Sequence, residues 1–74
     1  MQLRLRCKKI IKEEYQRYTS SGYRPVIWVT AELEVVEGEA LREGTKFTIS
    51  TMTEKSGEYF ELGTEYKLNL EKIN

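Results

Sequence analysis

The chain contains no histidine, no aspartate, one cysteine, one proline and one tryptophan among its 74 residues. Each scarcity excludes something. Without histidine, the usual general base, the usual partner of a Ser or Cys nucleophile and the commonest metal ligand are all missing. Without aspartate no EF-hand-like calcium loop can be written. Cys7 alone cannot close an intramolecular disulfide, and a structural zinc site would need more Cys and His ligands than the chain has. The five glycines match neither the dinucleotide-binding fingerprint nor a phosphate-binding loop. No run of about eighteen apolar residues occurs. Basic residues interrupt the opening MQLRLRCKKI, where a secretory signal would need an apolar stretch. These readings predict a soluble, cytoplasmic protein that is not an enzyme and carries no cofactor or metal.

What is present is charge and strand pattern. A mass of 8.7 kDa predicts a single domain spanning 1–74. All twelve acids are glutamates, balanced by twelve lysines and arginines, so the net charge is zero. That zero hides a division. Residues 1–24 carry seven bases against two glutamates, a net of +5, and the remainder carries five bases against ten glutamates, a net of −5. Such asymmetry suits either a nucleic-acid surface or two strands that pair with each other.

Leu3, Leu5 and Cys7 alternate with Arg4, Arg6 and Lys8, the two-residue period of a half-buried strand. Lys9 then falls in the apolar row and Ile10 in the basic row, which predicts a bulge near residues 8–10 or a change of structure. Cys7, Ile10, Ile11, Tyr15 and Tyr18 also fit helical spacing, so a helix over 8–18 is an alternative. Pro25 to Glu37 reads as the clearest strand, with Ile27, Val29, Ala31, Leu33 and Val35 facing a core and Trp28, Thr30, Glu32 and Glu34 facing away. Thr19 to Arg24 has the composition of the connecting loop. A hairpin register setting Ile11 opposite Ala31 would set Lys8 opposite Glu34.

Further along, Glu37-Gly38-Glu39 reads as a turn, Ala40 to Glu43 as one helical turn, and strands resume around Phe47 to Thr51 and Tyr66 to Leu70. Lys55-Ser56-Gly57 is a turn signal, and the aromatics of Glu58 to Gly63 are placed to cap the core. Gly44-Thr45-Lys46-Phe47-Thr48-Ile49 and Gly63-Thr64-Glu65-Tyr66-Lys67-Leu68 share one pattern, in which a glycine with φ > 0 closes a turn before an entering strand. The fold predicted is mainly all-β, a small antiparallel barrel or strongly bent sheet of four or five strands, OB-like or SH3-like, with a long first hairpin. An α+β sheet follows if 8–18 is helical.

Among candidate sites, the glutamate pairs Glu13 with Glu14, Glu32 with Glu34 and Glu37 with Glu39 read as solvated rows. Cys7, in an apolar row, reads as a small buried hydrophobe. The constellation with chemical content is basic and aromatic: Arg4, Arg6 and Lys8 on one face, with Tyr15, Tyr18, Tyr23, Arg24 and Trp28 around the hairpin tip. Trp, Tyr and Arg dominate protein–protein hot spots, and the same residues can form a stacking platform for single-stranded nucleic acid. Glutamates on that face and a pI near 6.3 favour the first reading. The expected partner is another protein or a second copy of the chain, in a homo-oligomer; single-stranded nucleic acid is the alternative, and no membrane is expected.

Leu3-Arg4-Leu5-Arg6-Cys7-Lys8-Lys9-Ile10 and Phe60-Glu61-Leu62-Gly63-Thr64-Glu65-Tyr66-Lys67-Leu68-Asn69-Leu70 resemble the two ends of short phage- and prophage-encoded β-strand proteins of unknown function. Those begin with an Arg-Cys-Lys strand and finish with a Phe-x-x-Gly-Lys-Glu-Tyr strand. Thr64 stands here where that group has lysine. The resemblance implies an accessory protein of phage or bacterial type that acts by binding, inside the cell or in a virion.

Overall fold

The computed structural model describes residues 1–39 and 41–73. Four strands and one short helix follow in the order β1 (Gln2–Thr19), β2 (Gly22–Gly38), β3 (Lys46–Thr53), α1 (Glu54–Gly57) and β4 (Glu65–Asn69). They form one antiparallel sheet, β3-β2-β1-β4. The sheet is open: β3 and β4 lie at opposite edges and do not pair, so the predicted bent sheet is found and the barrel is not. Residues 8–18 are strand throughout, which replaces the helical alternative.

The alternation read from the sequence survives in burial. Leu3, Leu5 and Cys7 on β1 and Val29, Ala31, Leu33 and Val35 on β2 are the buried residues of one face. Phe47, Phe60, Tyr66, Leu68 and Leu41 pack against this cluster from the flanking elements. Cys7 is a buried free thiol within it. The bulge is present at Lys8: Cys7 pairs with Leu33 and Lys9 with Glu32, leaving Lys8 as the extra residue. Ile10 thereby takes the core face that Lys9 would otherwise occupy, and both rows of the sequence pattern are reconciled.

Three expectations are corrected. The hairpin turn consists of Ser20 and Ser21 alone, with Thr19 opposite Gly22 and Gly22 at φ +105. This shorter turn shifts the register by one, so Ala31 faces Ile10, and the bulge at Lys8 adds a second step, so Glu34 faces Arg6. The Lys8 ammonium nonetheless lies 4.0 Å from the Glu34 carboxylate. The helical turn expected at Ala40 to Glu43 is not formed at residues 41–43, and Ala40 lies outside the described residues. One forms instead at Glu54–Gly57, where the Thr53 hydroxyl caps the first turn by accepting from the Ser56 N–H.

Gly44 and Gly63 both adopt positive φ, at +91 and +80, as the repeated pattern predicts. Thr51 does so as well, at +58, where β3 bulges between its pairings with Val29 and Ala31. For a β-branched residue that conformation is strained.

Candidate functional site

The two central strands are far longer than their neighbours, and this produces the most distinctive feature of the molecule. β4 pairs only with Gln2 to Arg6, and Gly63 and Thr64 carry that edge one step further by bonding to Cys7. β3 pairs only with Trp28 to Glu34 of β2. From Glu14 to Ile27 the sheet is therefore two strands wide, an arm with both outer edges open. The longest extent of the molecule is 50 Å and its radius of gyration is 15.6 Å, against roughly 11 Å for a compact chain of this length.

A two-stranded ribbon is only marginally stable alone in water, and the two edges of this one are unequal. Pro25 on β2 has no N–H to offer and blunts that edge. It faces Gln16, and proline is accommodated where the paired N–H groups point outward. By alternation, the N–H groups of Ile10, Lys12, Glu14, Gln16 and Tyr18 point to the open edge of β1. The same alternation, with one residue inserted at Lys8, matches the direction of the Cys7 N–H, which donates to Thr64.

The structure distributes the basic and aromatic residues over three places. Arg4 and Arg6 sit at the base, opposite the core, and are neutralised there. Arg4 pairs with Glu37 at 3.0 Å and Glu65 at 3.1 Å, and Arg6 pairs with the other oxygen of Glu65. Tyr15, Arg24 and Trp28 lie on that same face but along the arm. Here Trp28 is opposite Glu13 and Tyr15 opposite Val26, beside a shallow concavity that also involves Thr30, Ser50 and Thr51. The Tyr15 hydroxyl donates to Glu13 at 2.6 Å, and that carboxylate holds its pKa above the ordinary 10.0. Tyr18 and Tyr23 lie on the opposite face of the tip as an edge-to-face pair with centroids 5.4 Å apart, 75% and 71% exposed.

One residue of the tip escapes a reading by sequence. Arg17 is directly opposite Arg24, and neither forms a salt bridge among the described residues. Like charges directly opposite each other are destabilising in a sheet. Counting back from the Ser20-Ser21 turn would have placed the pair; the longer loop read from composition hid it.

The base ion pairs carry a pH dependence. The Arg6 guanidinium bonded to Glu65, with Arg4 adding its charge, holds the Glu65 carboxyl below its ordinary 4.5, although partial desolvation opposes them. A depressed folded-state pKa contributes stability above the unfolded value and loses it as pH falls through the folded one. Amide exchange along β4 is therefore expected to stay constant from neutral pH down to about 5 and to quicken below 4, once the intrinsic rate is divided out. Protection in β4 that does not change between pH 6 and pH 3 would show that Glu65 does not fasten that strand.

Among the described residues there is no helix long and apolar enough to cross a membrane and no group of three or more potential metal ligands. Comparison with protein-family profiles, with curated proteins and with solved structures finds no match to this chain.

Proposed function

We propose that the protein is a small interaction module whose projecting hairpin binds another polypeptide by strand addition, with the exposed tyrosines and arginines of the tip as side-chain anchors. The open β1 edge beyond Cys7 carries this reading. A row of unpaired N–H and C=O groups recognises the backbone of an extended polypeptide strand, and β-addition is a recurrent mode of peptide recognition. No catalytic role is assigned to any residue. The resemblance of the chain ends to phage-type proteins supports an accessory role exercised by contact.

Single-stranded nucleic acid is the weaker alternative. Its basic row would have been Arg4, Arg6 and Lys8, and these face Glu37, Glu65 and Glu34. Trp28, its stacking platform, stands opposite Glu13. Phosphate gains little from bases already paired with carboxylates.

The test is selection of peptides from a random display library by the wild-type protein, scored again on Gln16→Pro. Proline at 16 faces Pro25, so it removes an outward N–H without breaking the hairpin ladder, which an unchanged circular dichroism spectrum verifies. Enrichment of extended, alternating sequences whose binding falls at least about tenfold on Gln16→Pro is the expected outcome. Enriched peptides that bind the variant equally well, or no enrichment at all, would refute strand addition at this edge.

A further inference from the structure

The β1 edge already accepts one strand, and a glutamate of that strand is held by two arginines of the edge. β4 runs antiparallel to β1 with Glu65 opposite Arg6, and its single carboxylate engages both Arg4 and Arg6. On the other side of β1, Glu37 and Glu34 of β2 stand opposite the same two arginines. At the base of β1, glutamates from both neighbouring strands therefore neutralise Arg4 and Arg6, although Lys67 of β4 is the residue directly opposite Arg4. Past Cys7 this arrangement stops on one side. Lys9 still faces Glu32, but Lys12 faces Val29, Arg17 faces Arg24, and no strand among the described residues lies on the outer edge. Residues 8–27 hold five bases (Lys8, Lys9, Lys12, Arg17 and Arg24) and two glutamates, a net of +3.

Resting on the reading of the arm as a strand acceptor, we propose that the polypeptide it takes is acidic, an antiparallel strand of a partner protein with carboxylates opposite Lys9, Lys12 and Arg17. The third of these draws the Arg17 guanidinium away from Arg24 and removes the like-charge opposition that the free arm carries. Glu13 and Glu14 set the pattern between: residues opposite them are neutral, so the acids of the partner flank that neutral pair, one opposite Arg17 on one side and two opposite Lys12 and Lys9 on the other. A phosphate backbone could answer the arginines, but it has no alternating N–H and C=O row for the strand edge. A second copy of β1 fits less well. An antiparallel pairing that uses the whole free edge sets Glu13 against itself and Lys9 against Arg17 of the other copy, which its two Lys12–Glu14 pairs only partly offset.

The probe is the capped peptide Glu-Val-Thr-Thr-Thr-Glu-Thr-Val-Glu, whose first residue faces Arg17 and whose last faces Lys9, compared with the same peptide bearing glutamine for each glutamate. Binding is followed by the fluorescence of Trp28, the only tryptophan in the chain. Three exposed, screened ion pairs of about twofold each multiply to a preference of about tenfold for the acidic peptide at low ionic strength, shrinking as salt is added. Arg17→Ala should lose about twofold for the acidic peptide only, and Gln16→Pro should lose both peptides. Equal affinity for the two peptides, each lost in Gln16→Pro, would overturn the acidic partner and leave strand addition standing. Failure of both peptides would also overturn it, and strand addition falls with it only if the display selection enriches nothing. Binding of an oligothymidylate that Arg17→Ala abolishes and Gln16→Pro does not would assign the arginines to phosphate and overturn the proposal.

Discussion

Leu5→Ala is expected to leave the chain largely unfolded at 25 °C. Leu5 is opposite Val35 on β2 and Tyr66 on β4, so one side chain joins the three strands at the base. It is 2% exposed and belongs to the cluster of Leu3, Cys7, Leu33 and Val35. Truncating a buried leucine to alanine costs about 2 to 5 kcal/mol, because transfer free energy is lost and the cavity does not fully collapse. A core in a domain this small supplies only about 3 to 5 kcal/mol of net stability, and the 14-residue arm from Glu14 to Ile27 adds exposed backbone with few buried apolar groups. The substitution therefore removes most of what holds the sheet. Urea unfolding monitored by Trp28 fluorescence and far-ultraviolet circular dichroism should show a pre-transition baseline in the wild type and none in the variant. Ile73→Ala, at a side chain 95% exposed, should stay within about 0.5 kcal/mol of the wild type. A Leu5→Ala loss under about 1 kcal/mol would mean that the base is held by its ion pairs and backbone bonds rather than by this cluster.

The sequence pattern carried the central strands because alternation is a local property, and local properties survive folding. Leu3-x-Leu5-x-Cys7 and Val29-x-Ala31-x-Leu33-x-Val35 are the buried rows found, and the break at Lys8 to Ile10 is the bulge. Register is different, because it depends on the length of one turn. Reading Thr19 to Arg24 as a loop rather than two residues shifts the partners by one position. In a sheet a shift of one is enough to move Tyr18 off the face of Trp28 and to hide Arg17 opposite Arg24, whereas Tyr23, five residues before Trp28 on the same strand, is on the other face by alternation alone. Sheet closure was equally out of reach. It depends on β3 and β4 meeting, and strands of eight and five residues pair instead at opposite edges of much longer ones. The helical turn had a legible signal that composition alone outweighed: Thr53 before Glu54 is a capping residue followed by an acid in the first turn, which the structure uses. Exposed glutamates facing Arg4 and Arg6 were anticipated as a row, but Glu65, which binds both arginines, arrives from a strand fifty-nine residues away from Arg6. No local reading contains that contact.

Gly57→Ala is expected to destabilise the protein by about 1 to 3 kcal/mol, as overpacking does in a core without room. The cause is contact, since Gly57 has no positive φ and alanine suits a helix better than glycine. A Cβ placed there would lie 2.7 Å from both Cβ and Cγ1 of Val29 and 2.8 Å from its Cγ2. α1 thus rests directly on β2 at the last buried position before the arm, which is possible only because residue 57 has no side chain. Val29→Ala removes the two γ carbons and leaves Cβ, so it relieves part of the clash while costing about 1.6 kcal/mol for two lost methyl groups. The double variant should therefore be more stable than the sum of the single losses predicts, by about 1 kcal/mol, a coupling typical of residues in contact. The readout is the cycle of four urea midpoints, with amide exchange at Trp28 and Val29 showing whether α1 lifts off β2 before the sheet melts. Strict additivity would mean that the cost of Gly57→Ala does not arise from the Val29 γ carbons, and the bracing contact would then lie elsewhere. A positive coupling fixes α1 as the brace on β2 where the sheet narrows toward the two-stranded arm, so that a small residue far from the tip controls how firmly the proposed binding element is held.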